Sequence, residues 1–225
     1  DISGPLKINS AGVQNIFSWS TMRVSLRFNG MLERLSINAA EFKAGETTEN
    51  TALSSKALEF HIRTDTARPS EERAVDVAIN LTDMRAAELD LLTGNATPAA
   101  LNFSGTLTQA LNMRMGHWQS LLENWRAQNG QMSFDNFRFA KGSFSLEGKG
   151  TLGLDSAHRL QGELMVGARG IGPLISRFVS GNAAQLAGAL LERKDGSLVQ
   201  LPLRMQEGRM SFGPLRTGPI LAPLY

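Results

Sequence analysis

Period-two alternation of apolar and polar side chains runs through the first third of this 225-residue chain and decides most of what it can become. Met22, Val24, Leu26 and Phe28 alternate with Arg23, Ser25 and Arg27. Leu58, Phe60 and Ile62 alternate with Glu59, His61 and Arg63, and Val75, Val77, Ile79 and Leu81 with Asp76, Ala78 and Asn80. Successive side chains of a strand point to opposite faces, so each segment predicts an antiparallel strand with one dry and one wet side. Asn29-Gly30 is the favoured pair for a tight hairpin, with Leu32 to Ile37 as the return strand. Arg68-Pro69-Ser70-Glu71-Glu72 reads as a solvated connection.

Further on the period changes. Thr82 or Asp83 is placed to cap a short helix through Met84, Ala87 and Leu91, closed by Gly94. Leu101, Phe103 and Leu107 restore a strand. Trp118, Leu121, Leu122 and Trp125 then fall on one helical stripe that Asn129-Gly130 ends. Strands are expected at 132–139, 143–147, 151–154 and 159–166, followed by helices near 173–192 that Gly172-Pro173 and Asn182 would start. A last hairpin, 198–205 and 209–212, leads into a proline-rich tail. The layout predicts an α+β fold, mostly antiparallel, with curved β-meander sheets packed with a few short helices. It divides into a β-rich half with a short helix, residues 1–95, and a meander with helices near 117–128 and 173–192, residues 96–225. Leu101–Leu107 (LNFSGTL) resembles Leu146–Leu152 (LEGKGTL), which suggests two similar halves.

The inventory of reactive groups is thin. No cysteine occurs, which excludes disulfides, Cys-type zinc sites, iron–sulfur clusters and thiol catalysis. With 23 basic and 21 acidic residues the charge is too balanced for a dedicated nucleic-acid binder. Residues 101–225 carry the basic excess, which suits either an anionic membrane surface or a plain solvated face. His61 stands on the polar side of a strand, His117 opens a helix and His158 lies in a turn. None has a second histidine at metal-ligand spacing, so no metal and no cofactor are expected. Glycines 148, 150 and 153 join strand to strand, and those at 167, 170 and 172 precede a helix without a Walker lysine. Both sets read better as backbone punctuation than as phosphate loops. No apolar run reaches the eighteen residues of a membrane-spanning helix. Between Gly167 and Leu191 the only charges are Arg169 and Arg177. Such short apolar helices suit either core helices covering a sheet or the wall of a hydrophobic groove. In the second case Leu174, Ile175, Phe178, Leu186 and Leu190 are the candidate ligand-binding residues.

Residues 143–166, SFSLEGKGTLGLDSAHRLQGELMV, join a strand bearing Gly148-x-Gly150, the pair Leu154-Asp155, a turn, and Leu160-x-Gly162-x-Leu164. This arrangement resembles the repeating strand pattern of AsmA-like proteins of the Gram-negative envelope. The tail, with Gly208, Gly213-Pro214, Gly218-Pro219 and Pro223, resembles the end of a related, functionally uncharacterised family of Alphaproteobacteria. The resemblance covers roughly residues 130–225. It implies a periplasmic envelope protein, anchored in the inner membrane by an N-terminal segment outside these residues, whose sheets are dry on their concave face. It carries no catalytic residues. The expectation is therefore a non-enzymatic protein that binds a lipid or other apolar small molecule and contributes to lipid trafficking or envelope biogenesis. Its partners would be that ligand, a membrane surface or an envelope protein. A ligand-free protein-interaction module using an edge strand is the alternative. A hydrolase would need one of the three histidines beside a nucleophile in a cleft.

Overall fold

A computed structural model describes residues 4–10, 13–46, 51–66, 74–110, 118–170, 199–213, 215–219 and 222–224. Its strands are β1 (Leu6–Ser10), β2 (Val13–Ser18), β3 (Thr21–Phe28), β4 (Leu32–Gly45), β5 (Thr51–Thr64), β6 (Val75–Met84), β7 (Ala99–Leu107), β8 (Met132–Lys141), β9 (Phe144–Leu154), β10 (Leu160–Arg169), β11 (Val199–Gln206), β12 (Arg209–Phe212) and β13 (Leu215–Pro219). Two helices are described, α1 (Ala87–Thr93) and α2 (Trp118–Ala127). All thirteen strands belong to one sheet. From β4 to β13 each strand returns antiparallel beside its predecessor. β3 pairs with the first part of β4, and β2 with its end.

The fold class is corrected by this architecture: the protein is mostly β, one large antiparallel sheet, and not α+β. Two physical reasons account for the difference. Thr82, Asp83 and Met84, read as a helix start, continue β6 across a register shift against β7, where Asp83 takes φ 50°. The helix begins only at Ala87 and ends, as expected, at Gly94 in the left-handed conformation. Gly148 and Gly150, read as a break between two strands, lie inside the continuous β9. The helices expected near 173–192 lie outside the described residues. On either side of residue 95, β6 and β7 are adjacent strands of the sheet.

Register aligns the alternation of each strand with that of the next. One row runs Val24, Ile37, Phe60, Ile79, Phe103 and Phe137, and continues through Gly148, Val166 and Leu201. A second runs Leu26, Leu35, Ile62, Val77, Gly105 and Phe134, and continues through Gly150, Leu164 and Leu203. A third takes in Met22, Ala39, Leu58, Leu81, Leu101 and Phe139. The intervening rows are polar, such as Asn38, Glu59, Asn80, Asn102, Arg138 and Glu147. One face of the sheet is thus apolar from β3 to β11 and the other is polar.

The glycine motif has its reason here. Gly150 pairs with Leu164, and Gly162 pairs with Leu152. Their φ angles of 151° and 143° exclude most side chains, and a Cβ on either would strike the neighbouring strand's carbonyl oxygen. Each facing leucine lies over the space a side chain would fill. Register shifts at Ser104/Gly105 and Phe134/Phe137 add local bends to the central strands.

A buried cluster lies where α1 covers one end of the apolar face. Leu81, Met84 and Ala99 are buried there against Leu53, Leu58, Leu89 and Phe139. Much of the rest of that face is half-exposed.

Candidate functional site

A sheet with one apolar side must either cover that side or use it. Among the described residues no second sheet lies over it. Ile37, Phe60, Ile62, Val77, Ile79, Phe134, Phe137 and Leu164 are all half-buried, whereas Phe103 and Val166 are buried. The rings of Phe103 and Phe134 meet edge to face at 5.4 Å between centroids. Glycines flank Phe134 on both sides, Gly105 from β7 and Gly150 from β9. These two belong to the repeated heptapeptides, so the internal echo marks equivalent positions beside one aromatic ring.

α1 is fastened to this face by a buried cation. Alternation through Phe137 and Phe139 puts Lys141 on the apolar side, where its side chain is 1% exposed. Lys141 Nζ donates to Asp90 Oδ1 of α1 at 2.6 Å and to the Thr97 carbonyl at 2.5 Å. α2 is held differently. Trp125 is buried, and its indole N–H donates to the Thr108 carbonyl at 2.7 Å. Glu123 of α2 accepts Arg126 and also faces His158 Nε2 at 2.9 Å, in the turn between β9 and β10.

That turn explains the Leu-Asp pair of the strand motif. Asp155 is buried, with Oδ1 accepting the backbone N–H groups of Ala157 and Arg159 and Oδ2 accepting Arg159 Nε at 2.8 Å. Burial works to raise its pKa. The backbone and side-chain hydrogen bonds from Arg159, with that of Ala157, outweigh burial and hold the carboxyl below its ordinary value.

The polar face carries an open groove of about 590 Å³ whose walls include Arg34, Ser36, His61, Arg63, Asp76 and Asp135. Ser36 stands opposite His61 in the register of β4 and β5, yet the imidazole makes no hydrogen bond among the described residues. Arg63 donates to Asp76 through both Nε and Nη2, and that hydrogen bond, then the charge of Asp76, raises its pKa. Asp76 also accepts Thr106 Oγ1 at 2.9 Å. No group of three or more metal-ligating side chains is gathered among the described residues. No described helix is long and apolar enough to cross a membrane.

The residues singled out for ligand binding, Leu174, Ile175, Phe178, Leu186 and Leu190, lie outside the described residues, as does His117. The apolar surface that the structure assembles comes instead from strands. Their alternation was visible in sequence, but the register that aligns nine strands into continuous rows was not.

Among the described residues, fold and surface define a class: one large antiparallel β-meander sheet with an apolar and a polar face, braced by short helices. Within that class, the chain belongs to the family DUF2125, described as an uncharacterized protein conserved in bacteria, whose model matches residues 1–220. Membership in an uncharacterised bacterial family, expected from the tail motifs alone, therefore extends along nearly the whole chain. No curated protein and no solved structure matches it.

Proposed function

We propose that this protein is a non-enzymatic component of the Gram-negative envelope, on the periplasmic side, and that the apolar face of its sheet receives the acyl chains of a lipid or a similarly apolar ligand. The observation that carries the reading is the continuity of half-exposed apolar rows from β3 to β11. Between β5 and β10 a row spans five inter-strand steps, roughly 24 Å at ~4.8 Å each. One leaflet of a ~30 Å hydrocarbon core contributes about 15 Å, so a row has room for an acyl chain. Removing apolar surface from water drives such binding at about 25 cal/mol per Å² before the cost of association. The resemblance of residues 143–166 to AsmA-like strands supports both the compartment and a role in lipid movement or envelope biogenesis.

The test is native mass spectrometry of protein purified from bacterial envelopes, followed by organic extraction. A stoichiometric lipid adduct is expected, lost in Ile62→Asp on the apolar face and kept in His61→Asn on the polar face, with circular dichroism unchanged in both. A ligand-free mass, with no uptake from added envelope lipids, contradicts the reading. It would favour the second one, a protein-interaction module, supported by β1 and β13, each of which has one edge unpaired among the described residues.

A further inference from the structure

The β3–β4 hairpin carries an arrangement that acyl binding does not use. Leu26 and Phe28 are 65% and 71% exposed. They stand at the outer end of the apolar face, where Leu26 heads the row that runs inward through Leu35, Ile62 and Val77. On the opposite face Arg27 lies directly across from Arg34, and Arg34 directly across from Arg63. Strands ~4.8 Å apart place these three positions within about 10 Å. Like charges directly opposite one another destabilise a sheet.

Two of the three are compensated. Arg27 Nε meets Glu33 Oε2 at 2.9 Å and Arg63 Nη2 meets Asp76 Oδ2 at 2.6 Å. Arg34 is exposed and has no hydrogen bond or ion pair among the described residues. The hairpin therefore shows water two large apolar side chains and, at the same depth along the strand, an uncompensated guanidinium between two others. Neither free phosphate nor an aqueous surface answers both features. The boundary of an anionic bilayer does, with acyl chains for the leucine and phenylalanine and phosphates at the level where arginine forks fit them.

We propose that this hairpin end of the sheet docks on an anionic phospholipid surface. Leu26 and Phe28 enter the boundary between headgroups and chains, and Arg34, flanked by Arg27 and Arg63, contacts lipid phosphate. Because Leu26 leads into the apolar row, the docked edge is where that face meets its source of lipid. Only this last point rests on the acyl-binding reading.

The test is co-sedimentation of the full chain with vesicles of phosphatidylglycerol and phosphatidylethanolamine, against vesicles of phosphatidylcholine alone. Binding to the anionic vesicles, weakened by salt, is expected. Arg34→Gln should weaken it about fivefold, and Leu26→Ser with Phe28→Ser more than tenfold. Both variants alter exposed positions, and circular dichroism checks their fold. Equal binding to both vesicle types, or unchanged binding in both variants, overturns the proposal. So does a double variant that turns a dimer into a monomer while vesicle binding persists, since the surface would then belong to a second copy of the chain. Lipid extracted from the same preparations separates the two readings: vesicle binding without copurified lipid sinks acyl binding alone, and copurified lipid without vesicle binding sinks docking alone.

Discussion

Removing Asp90 should harm this protein more than removing the lysine it faces. Lys141 is enclosed on the apolar face, with Asp90 Oδ1 and the Thr97 carbonyl as its acceptors, while Asp90 is 32% exposed. In Asp90→Ala the ammonium keeps one neutral acceptor in a site closed to water. Breaking a buried ion pair from one side costs about 3–5 kcal/mol. The partial exposure of Asp90 argues for the lower end, about 3 kcal/mol, which for a chain of this size lowers Tm by roughly 6–12 °C. In Lys141→Met the buried charge is gone, a thioether of similar length fills its track, and the carboxylate turns out to water. What remains is the lost bond to the Thr97 carbonyl, about 1 kcal/mol. Thermal and urea melts followed by circular dichroism give both values, and hydrogen exchange of the α1 amides reports whether the helix is released from the sheet. Lys141→Met as damaging as Asp90→Ala would refute the reasoning, because the pair itself would then contribute net stability.

The strand glycines and the turn aspartate give two further tests. Gly150→Ala and Gly162→Ala each drive a methyl group into a neighbouring strand and should lose at least about 2 kcal/mol in urea melts, whereas Gly153→Ala, with only one carbonyl nearby, should lose less. Equal losses at all three would show that the glycines matter for flexibility and not for close approach. Asp155 has a folded pKa below its ordinary value, so its stabilisation is present above about pH 4 and disappears as pH falls through the lowered folded value. Asp155→Asn should flatten that part of the acid limb in a series of melts from neutral pH to about pH 2; an acid limb identical to the parent's would refute the assignment.

The strands were legible because a half-buried strand writes its two faces directly into sequence, as at Met22–Phe28 and Val75–Leu81. What sequence could not supply was pairing. Gly148 and Gly150 look like breaks when β9 is read alone, and Gly150 becomes necessary once β10 stands beside it, whereas Gly148 has room for a Cβ. The helix start was misplaced because Thr82 and Asp83 have capping side chains, while pairing and a bulge hold them in β6. Lys141 left a signal that went unread: it falls in phase with Phe137 and Phe139, and a lysine on the apolar phase announces a buried partner. The candidate ligand residues Leu174 to Leu190 fall in a strongly apolar segment that reads as helical in sequence and lies outside the described residues. An apolar surface spread over nine strands leaves no local maximum of hydrophobicity to find.

The central claim is that lipid lies along one face of the sheet and not the other. A photo-reactive phenylalanine analogue placed one at a time at Phe60, Ile79 and Phe137, and at their polar-face neighbours Glu59, Asn80 and Arg138, would read this in the envelope itself. Lipid adducts at the first three positions and none at the second three are the predicted result. Adducts on both faces alike, or on neither while lipid is abundant around the protein, would contradict the account.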